Sequence, residues 1–158
     1  MDKKPQDPDN SVTNRAEGGK KKVLIAPSHI CFPASPSEKP YLIGSKCDTC
    51  GIVAFPSRGV CPACVKGMTM KPIPLSGKGT IDSYSISYVA PPGIKAPYIQ
   101  SWIRLAEGPH IFSIITGAEP SEKALHIGMD VEFTVGKLAE DEDGNELIGY
   151  QFRPVAKT

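Results

Sequence analysis

No run of apolar residues in this 158-residue chain approaches the ~18 that a membrane-crossing helix needs. The short stretch Val23-Leu24-Ile25-Ala26, even with Lys20 to Lys22 before it, is too brief for the apolar centre of a secretory signal. Charge of one sign is missing as well. The formal net charge is +1, which gives no general pull toward a polyanion. The chain also lacks the short motifs of autonomous catalysis: no Gly-x-Ser-x-Gly and no phosphate-cradling glycine loop. Its three histidines, His29, His110 and His126, have no partner at motif spacing, so each reads as a surface or satisfied structural side chain.

Proline and glycine, in contrast, are plentiful. Sixteen prolines and fifteen glycines argue against a helical bundle and suit short strands joined by tight turns. The five cysteines are the chemically decisive residues. Cys47-Asp48-Thr49-Cys50 and Cys61-Pro62-Ala63-Cys64 form two CxxC pairs separated by a short spacer that can run out and back as a hairpin. Each pair can reach one cation from a single bend of backbone, a tetrathiolate pattern that points to zinc ahead of iron. Gly51 suits the positive φ such a bend requires, and Pro62 pre-sets φ in the second. Two disulfides would use the same four residues, but the cysteines of one CxxC are poorly placed for an ordinary structural bridge. Two redox CxxC centres so close together are also less apt than one metal. With all four positions filled by protein, the metal is expected to be structural. Thiolate ligands and an odd cysteine count imply a reducing cytoplasm. The leftover, Cys31, reads as a small buried side chain.

Residues 1–22 are polar and read as a flexible tail. Residues 23–40, with Pro27, Pro33, Pro36 and Pro40, read as an extended proline-rich arm lying on this protein or on a partner. The ribbon occupies 41–72, and a core that small is held by its metal more than by apolar burial. From about residue 75 to 156 the pattern becomes strands and turns. The expected strands are Thr80 to Val89, Tyr98 to Leu105, His110 to Thr116, Met129 to Val135 and Leu147 to Arg153. Ala90 to Pro97 interrupts them as a loop, and Ser121 to Leu125 is expected to carry a turn of helix. The fold predicted is therefore mainly β: an N-terminal rubredoxin-like zinc ribbon followed by a five-stranded OB-fold barrel.

That architecture is common among nucleic-acid binders, and charge provides a test. From residue 75 onward there are seven basic against eleven acidic side chains, a balance of −4 that opposes a phosphate-tracking groove. Tyr84, Tyr88, Trp102 and Phe112 could stack on bases, but aromatics at alternate strand positions are more often core or interface.

Residues 40 to 155 resemble a known family, the acyl-CoA-associated zinc-ribbon/OB-fold proteins formerly grouped as domain of unknown function 35. The resemblance rests on the CxxCG and CPxC pairs and on Leu75-Ser76-Gly77-Lys78-Gly79-Thr80 entering the first barrel strand. Pro97-Tyr98, Gly128-Met129-Asp130-Val131 and Phe152-Arg153-Pro154 continue it. One departure is Val65, where a glycine often follows the second pair. The resemblance implies a non-catalytic subunit that docks on a larger thiolase-like, thiolase–synthase or hydratase-like catalytic chain and helps to shape its CoA or acyl-thioester passage. On that reading Lys95 or Arg104 would meet a CoA phosphate, and Ala90 to Pro97 and the arm from Val23 to Pro40 would form the interface. No catalytic residue, nucleic acid or membrane is implied.

Overall fold

The computed structural model describes residues 19–65 and 67–156. Most of the expected flexible tail, residues 1–18, lies outside them. The barrel is built from β6 (Lys78–Ser87), β7 (Tyr98–Leu105), β8 (His110–Ile115), β9 (Asp130–Glu140) and β10 (Glu146–Pro154). β6, β7 and β8 form an antiparallel meander, in which Ile81 faces Ile103 and Ile103 faces Ile111. β9 pairs with both β6 and β10, and Phe152 of β10 pairs in parallel with Ile115 of β8. The circuit β6-β7-β8-β10-β9 thus returns to β6 and leaves no open edge between these strands, the arrangement of an OB-fold.

Alternation explains why these residues make this barrel. Along β7, Ile99, Ser101, Ile103 and Leu105 are buried while Trp102 and Arg104 are exposed. The inward residues of all five strands share one core with Phe152, which is fully buried and meets Phe133 edge-on at 6.3 Å between ring centroids. β9 extends well beyond the expected Val135, to Glu140, because the residues from Gly136 onward find ladder partners in β10. No helix forms at Ser121 to Leu125. The connector holds hydrogen-bonded turns instead, Ala124 N–H donating to Ser121 C=O at 3.1 Å and Met129 N–H to His126 C=O at 3.2 Å.

Before the barrel come β1 (Lys22–Leu24), a 3-10 turn (Pro27–His29), β2 (Ile30–Cys31), β3 (Tyr41–Cys47), β4 (Val53–Ala54) and β5 (Met70–Pro74). The arm lies on this protein. β1 runs parallel to the start of β10, Lys22 opposite Glu146 and Leu24 opposite Ile148, and Ile25 N–H donates to Ile148 C=O at 2.7 Å. Residues from Lys20 onward therefore belong to the barrel surface rather than to a free tail. Cys31 is only half-buried, paired across the ladder with Tyr41, and not the core residue expected.

β3 is the centre of the ribbon, flanked by β2 and β4 on one edge and β5 on the other. It also joins ribbon to barrel: Leu42, fully buried, shares one apolar core with Ile30, Leu75, Ile81 and Phe152. The four metal-candidate cysteines hang from the other end of β3, away from that core.

Candidate metal centre and adjoining groove

Cys47 is the last residue of β3, so the strand itself fixes one corner of the site. The chain then turns twice in the same way. Gly51 N–H donates to Cys47 C=O at 2.9 Å, and Val65 N–H donates to Cys61 C=O at 3.0 Å. Both turns end on left-handed backbone, φ +76° at Gly51 and +52° at Val65. Glycine accepts that conformation freely, whereas a β-branched valine is strained there. The departure at Val65 keeps the knuckle's shape at an energetic cost, with the side chain 74% exposed.

The four Sγ atoms lie within 4.8 Å of one another. Cys47 Sγ is 3.9 Å from Cys64 Sγ, and Cys50 Sγ is 3.6 Å from Cys61 Sγ. A tetrahedron with ~2.3 Å zinc–sulfur bonds has edges of about 3.8 Å, so these spacings fit zinc without rearrangement. Thr49 N–H and Cys64 N–H point at Cys47 Sγ and Cys61 Sγ, each at 3.4 Å, and Thr69 Oγ1 lies 3.4 Å from Cys47 Sγ. The Thr69 hydroxyl and the backbone N–H groups draw the Cys47 thiol down to about 5. Hydrogen bonding with Cys50 and crowding among the other thiols push Cys64 up to about 12. One corner is thus prepared as thiolate while another resists ionisation. Cys47, Cys50, Cys61 and Cys64 would hold a divalent cation at their centre, whose charge would offset that of the thiolates. Because protein fills all four positions, the metal would be structural and would supply no open coordination place for a substrate.

A concave feature also lies on the barrel. A cavity of ≈ 580 Å³ is lined by Lys95, Tyr98, Lys137, Glu140 and Gln151. A second, of ≈ 330 Å³, is lined by His29, Phe112, Leu138 and Tyr150. The two share Ile94, Ile114, Leu138 and Ala139 and form one groove, charged at one end and apolar at the other. The loop Ala90 to Pro97 forms one wall and is latched at Gly93. Glu140 N–H donates to Gly93 C=O at 2.9 Å, and a Cβ on Gly93 would collide with the Glu140 carbonyl oxygen. Only glycine allows so close an approach.

The two residues considered for a CoA phosphate are separated by the fold. Lys95 faces this groove. Arg104 lies on the barrel's outer face, held by Asp82 Oδ1 at 2.9 Å and near His110 Nε2 at 3.4 Å. Sequence reasoning missed Lys137 and the apolar floor at Leu138, which belong to the part of β9 beyond the clean alternation. His29, read from the sequence as a surface or satisfied structural side chain, packs against Phe55 at 5.3 Å and Tyr150 at 6.2 Å, with Nδ1 buried and unpartnered among the described residues. Burial holds the Tyr150 hydroxyl above its usual range. Among the described residues no histidine contacts a thiol or hydroxyl in a nucleophile–base arrangement: His29 meets aromatic rings and His110 meets Arg104 and Asp82. No helix among them is long and apolar enough to cross a membrane.

Family models match both halves of this architecture. The ChsH2 rubredoxin-like zinc ribbon domain matches residues 38–68, and the ChsH2 C-terminal OB-fold domain matches residues 72–136. A DUF35 domain-containing scaffold protein of Methanocaldococcus jannaschii is 40% identical over 121 residues, covering 75% of this chain and 84% of that protein. The benzoylsuccinyl-CoA thiolase subunit BbsA of Thauera aromatica is 37% identical over 116 residues, covering 73% of this chain and 78% of that subunit. Among solved structures, the Ltp2-ChsH2(DUF35) aldolase shares the fold with a TM-score of 0.59 at 24% identity, over 73% of this chain and 86% of that one. A zinc ribbon whose four thiols fit one metal, followed by a closed OB barrel, together with these relatives, makes the chain a member of the DUF35 family of zinc-ribbon/OB-fold proteins.

Proposed function

We propose that this protein is the non-catalytic, zinc-stiffened subunit of a thiolase-type acyl-CoA complex, working in the reducing cytoplasm beside a larger catalytic chain. The observation that carries this reading is the 37% identity to a benzoylsuccinyl-CoA thiolase subunit across most of that subunit's length. The metal site agrees with it, since four protein ligands suit a scaffold better than a reaction centre. The finest form of the reading is thiolytic cleavage of 2-benzoylsuccinyl-CoA to benzoyl-CoA and succinyl-CoA in anaerobic aromatic degradation. A second reading is an accessory or scaffold subunit for another thiolase, a thiolase–synthase pair or a hydratase. The 40% identity to an archaeal scaffold protein favours it. Both readings place the reacting groups on the partner and give this chain a share in positioning CoA or acyl-CoA.

The groove suits that share. Lys95 offers a cation to a CoA phosphate at the charged end, and Leu138, Ile94 and Phe112 offer apolar walls beyond it. Arg104 is left as a structural ion-pair residue.

Purification of the tagged full chain from its source should bring with it a thiolase-like chain, and thiolysis of an acyl-CoA should need both. Lys95→Glu should raise the KM for CoA about tenfold, the scale of one charged hydrogen bond, with kcat little changed. Full thiolysis by the large chain alone would refute the subunit reading. An unchanged KM in Lys95→Glu would remove Lys95 from the CoA contact.

A further inference from the structure

On the outer face of β6, β7 and β8 two large aromatic side chains interrupt the polar pattern. Outward residues of β6 are Ser83 and Ser85, and those of β7 and β8 include Gln100, Arg104 and His110. Between them stand Trp102 and Phe112, directly opposite each other across the ladder. Their rings pack at 5.3 Å between centroids, yet Trp102 is 48% and Phe112 46% exposed. An aromatic pair that belonged to the core would point inward with Ile103 and Ile111; this one spends its apolar surface on solvent.

Polar groups flank the pair on two sides, and they are already satisfied. On one side Arg104 holds Asp82 at 2.9 Å, the residue that a bulge between Ile81 and Ser83 turns outward, and approaches His110. On the other, Gln100 Nε2 donates to Ser85 Oγ at 3.1 Å. A central aromatic anchor inside a rim of polar groups is the anatomy of a protein–protein hot spot.

We infer that the Trp102–Phe112 face is the surface on which the catalytic acyl-CoA chain docks. The inference rests on the subunit reading above. What singles out that occupant is continuity: Phe112 is at once half of the exposed pair and a wall of the groove that holds Leu138 and Tyr150. A protein seated on Trp102 therefore closes over the groove's apolar end, the part that the proposed function gives to the acyl-CoA. Charge argues against nucleic acid on this face. The barrel carries a balance of −4, and Arg104, the cation beside the rings, is committed to Asp82.

The test uses both full-length chains, the catalytic one identified from the native complex, with the dissociation constant read by calorimetry. Trp102→Ala and Phe112→Ala should each weaken association at least about 30-fold, while Trp102→Phe recovers most of it. Lys123→Ala, exposed on the connector, should leave it unchanged. Zinc content and circular dichroism should stay at wild-type values, because both side chains point outward. A measurement without substitution runs beside these. Trp102 is the only tryptophan of the chain, so 5-fluorotryptophan labelling gives one fluorine resonance, which should shift when the catalytic chain is added.

If the wild-type protein binds no catalytic chain, the subunit reading falls and takes this inference with it. If wild type binds and the Trp102 and Phe112 variants bind equally well, the inference alone falls. It also falls if the isolated protein is a dimer that Trp102→Ala dissolves without affecting the catalytic chain, since the face would then belong to a second copy.

Discussion

Zinc removal should melt one end of this protein and spare the rest. The cluster at the metal end contains Cys47, Ala54, Cys61 and Met70, with Cys64 packed beside it. Three of those five side chains are ligands, so apolar burial there comes down to Met70 and Ala54, about 3 kcal/mol together. Structural zinc contributes about 10–16 kcal/mol in small thiolate sites at neutral pH. The metal therefore outweighs packing several-fold between Cys47 and Met70. The start of β3 has a different anchor. Leu42 and Ile30 sit in the barrel's core with Leu75 and Phe152, and that core has no ligand in it. Hydrogen exchange read by mass spectrometry before and after chelation checks the distinction, as does Cys47→Ser. Amides from Asp48 to Thr69 should lose protection, including Gly51 and Val65, whose N–H groups close the two knuckles. Amides of β7, β8 and β10 should keep theirs. Loss of barrel protection in step with zinc would refute the separation of the two cores. Persistence of the knuckles without metal would refute the dominance of zinc.

Val65→Gly should stabilise the ribbon by about 1 kcal/mol, because it relieves left-handed strain at a β-branched residue and gives up little burial; zinc competition with a chelator would show tighter retention. Phe152→Ala should cost about 3–5 kcal/mol in denaturant unfolding, since the fully buried ring touches the convergence of the barrel strands. The Asp141 carboxyl is held below its ordinary range by the Asn145 side chain and backbone N–H, then by the N–H groups of Asp143 and Gly144. A depressed folded-state value means that this contribution to the β9–β10 turn is present above the unfolded value, about 3.9, and is lost as pH falls through the folded one. The Asp143 and Asn145 amide resonances should therefore titrate with a midpoint below 3.9, and a midpoint at or above it would show that the turn gives Asp141 no such support.

The sequence by itself determined the metal centre, because CxxC spacing is a local constraint: two short bends bring each pair of sulfurs together whatever surrounds them. It also determined the barrel's class and four of its strand positions closely, through alternation along Tyr98–Leu105 and its neighbours. Beyond Val135 the pattern failed. Gly136, Lys137 and Leu138 have no strand preference of their own, and β9 continues there only because β10 offers ladder partners. The arm's attachment was invisible for the same reason. Three residues of β1 gain their hydrogen bonds from Glu146 to Ile148, far along the chain. Trp102 and Phe112 were legible as aromatics at alternate positions, but period-two patterning does not say which face of a strand looks outward. Lys95 and Arg104 looked equivalent as surface cations. Only the tertiary structure separated them, by a bulge that brings Asp82 to Arg104 and by a loop latched at Gly93 that turns Lys95 into the groove. Local bends and alternation are written in neighbouring residues; the groove and the docking face depend on strands that meet from distant parts of the chain.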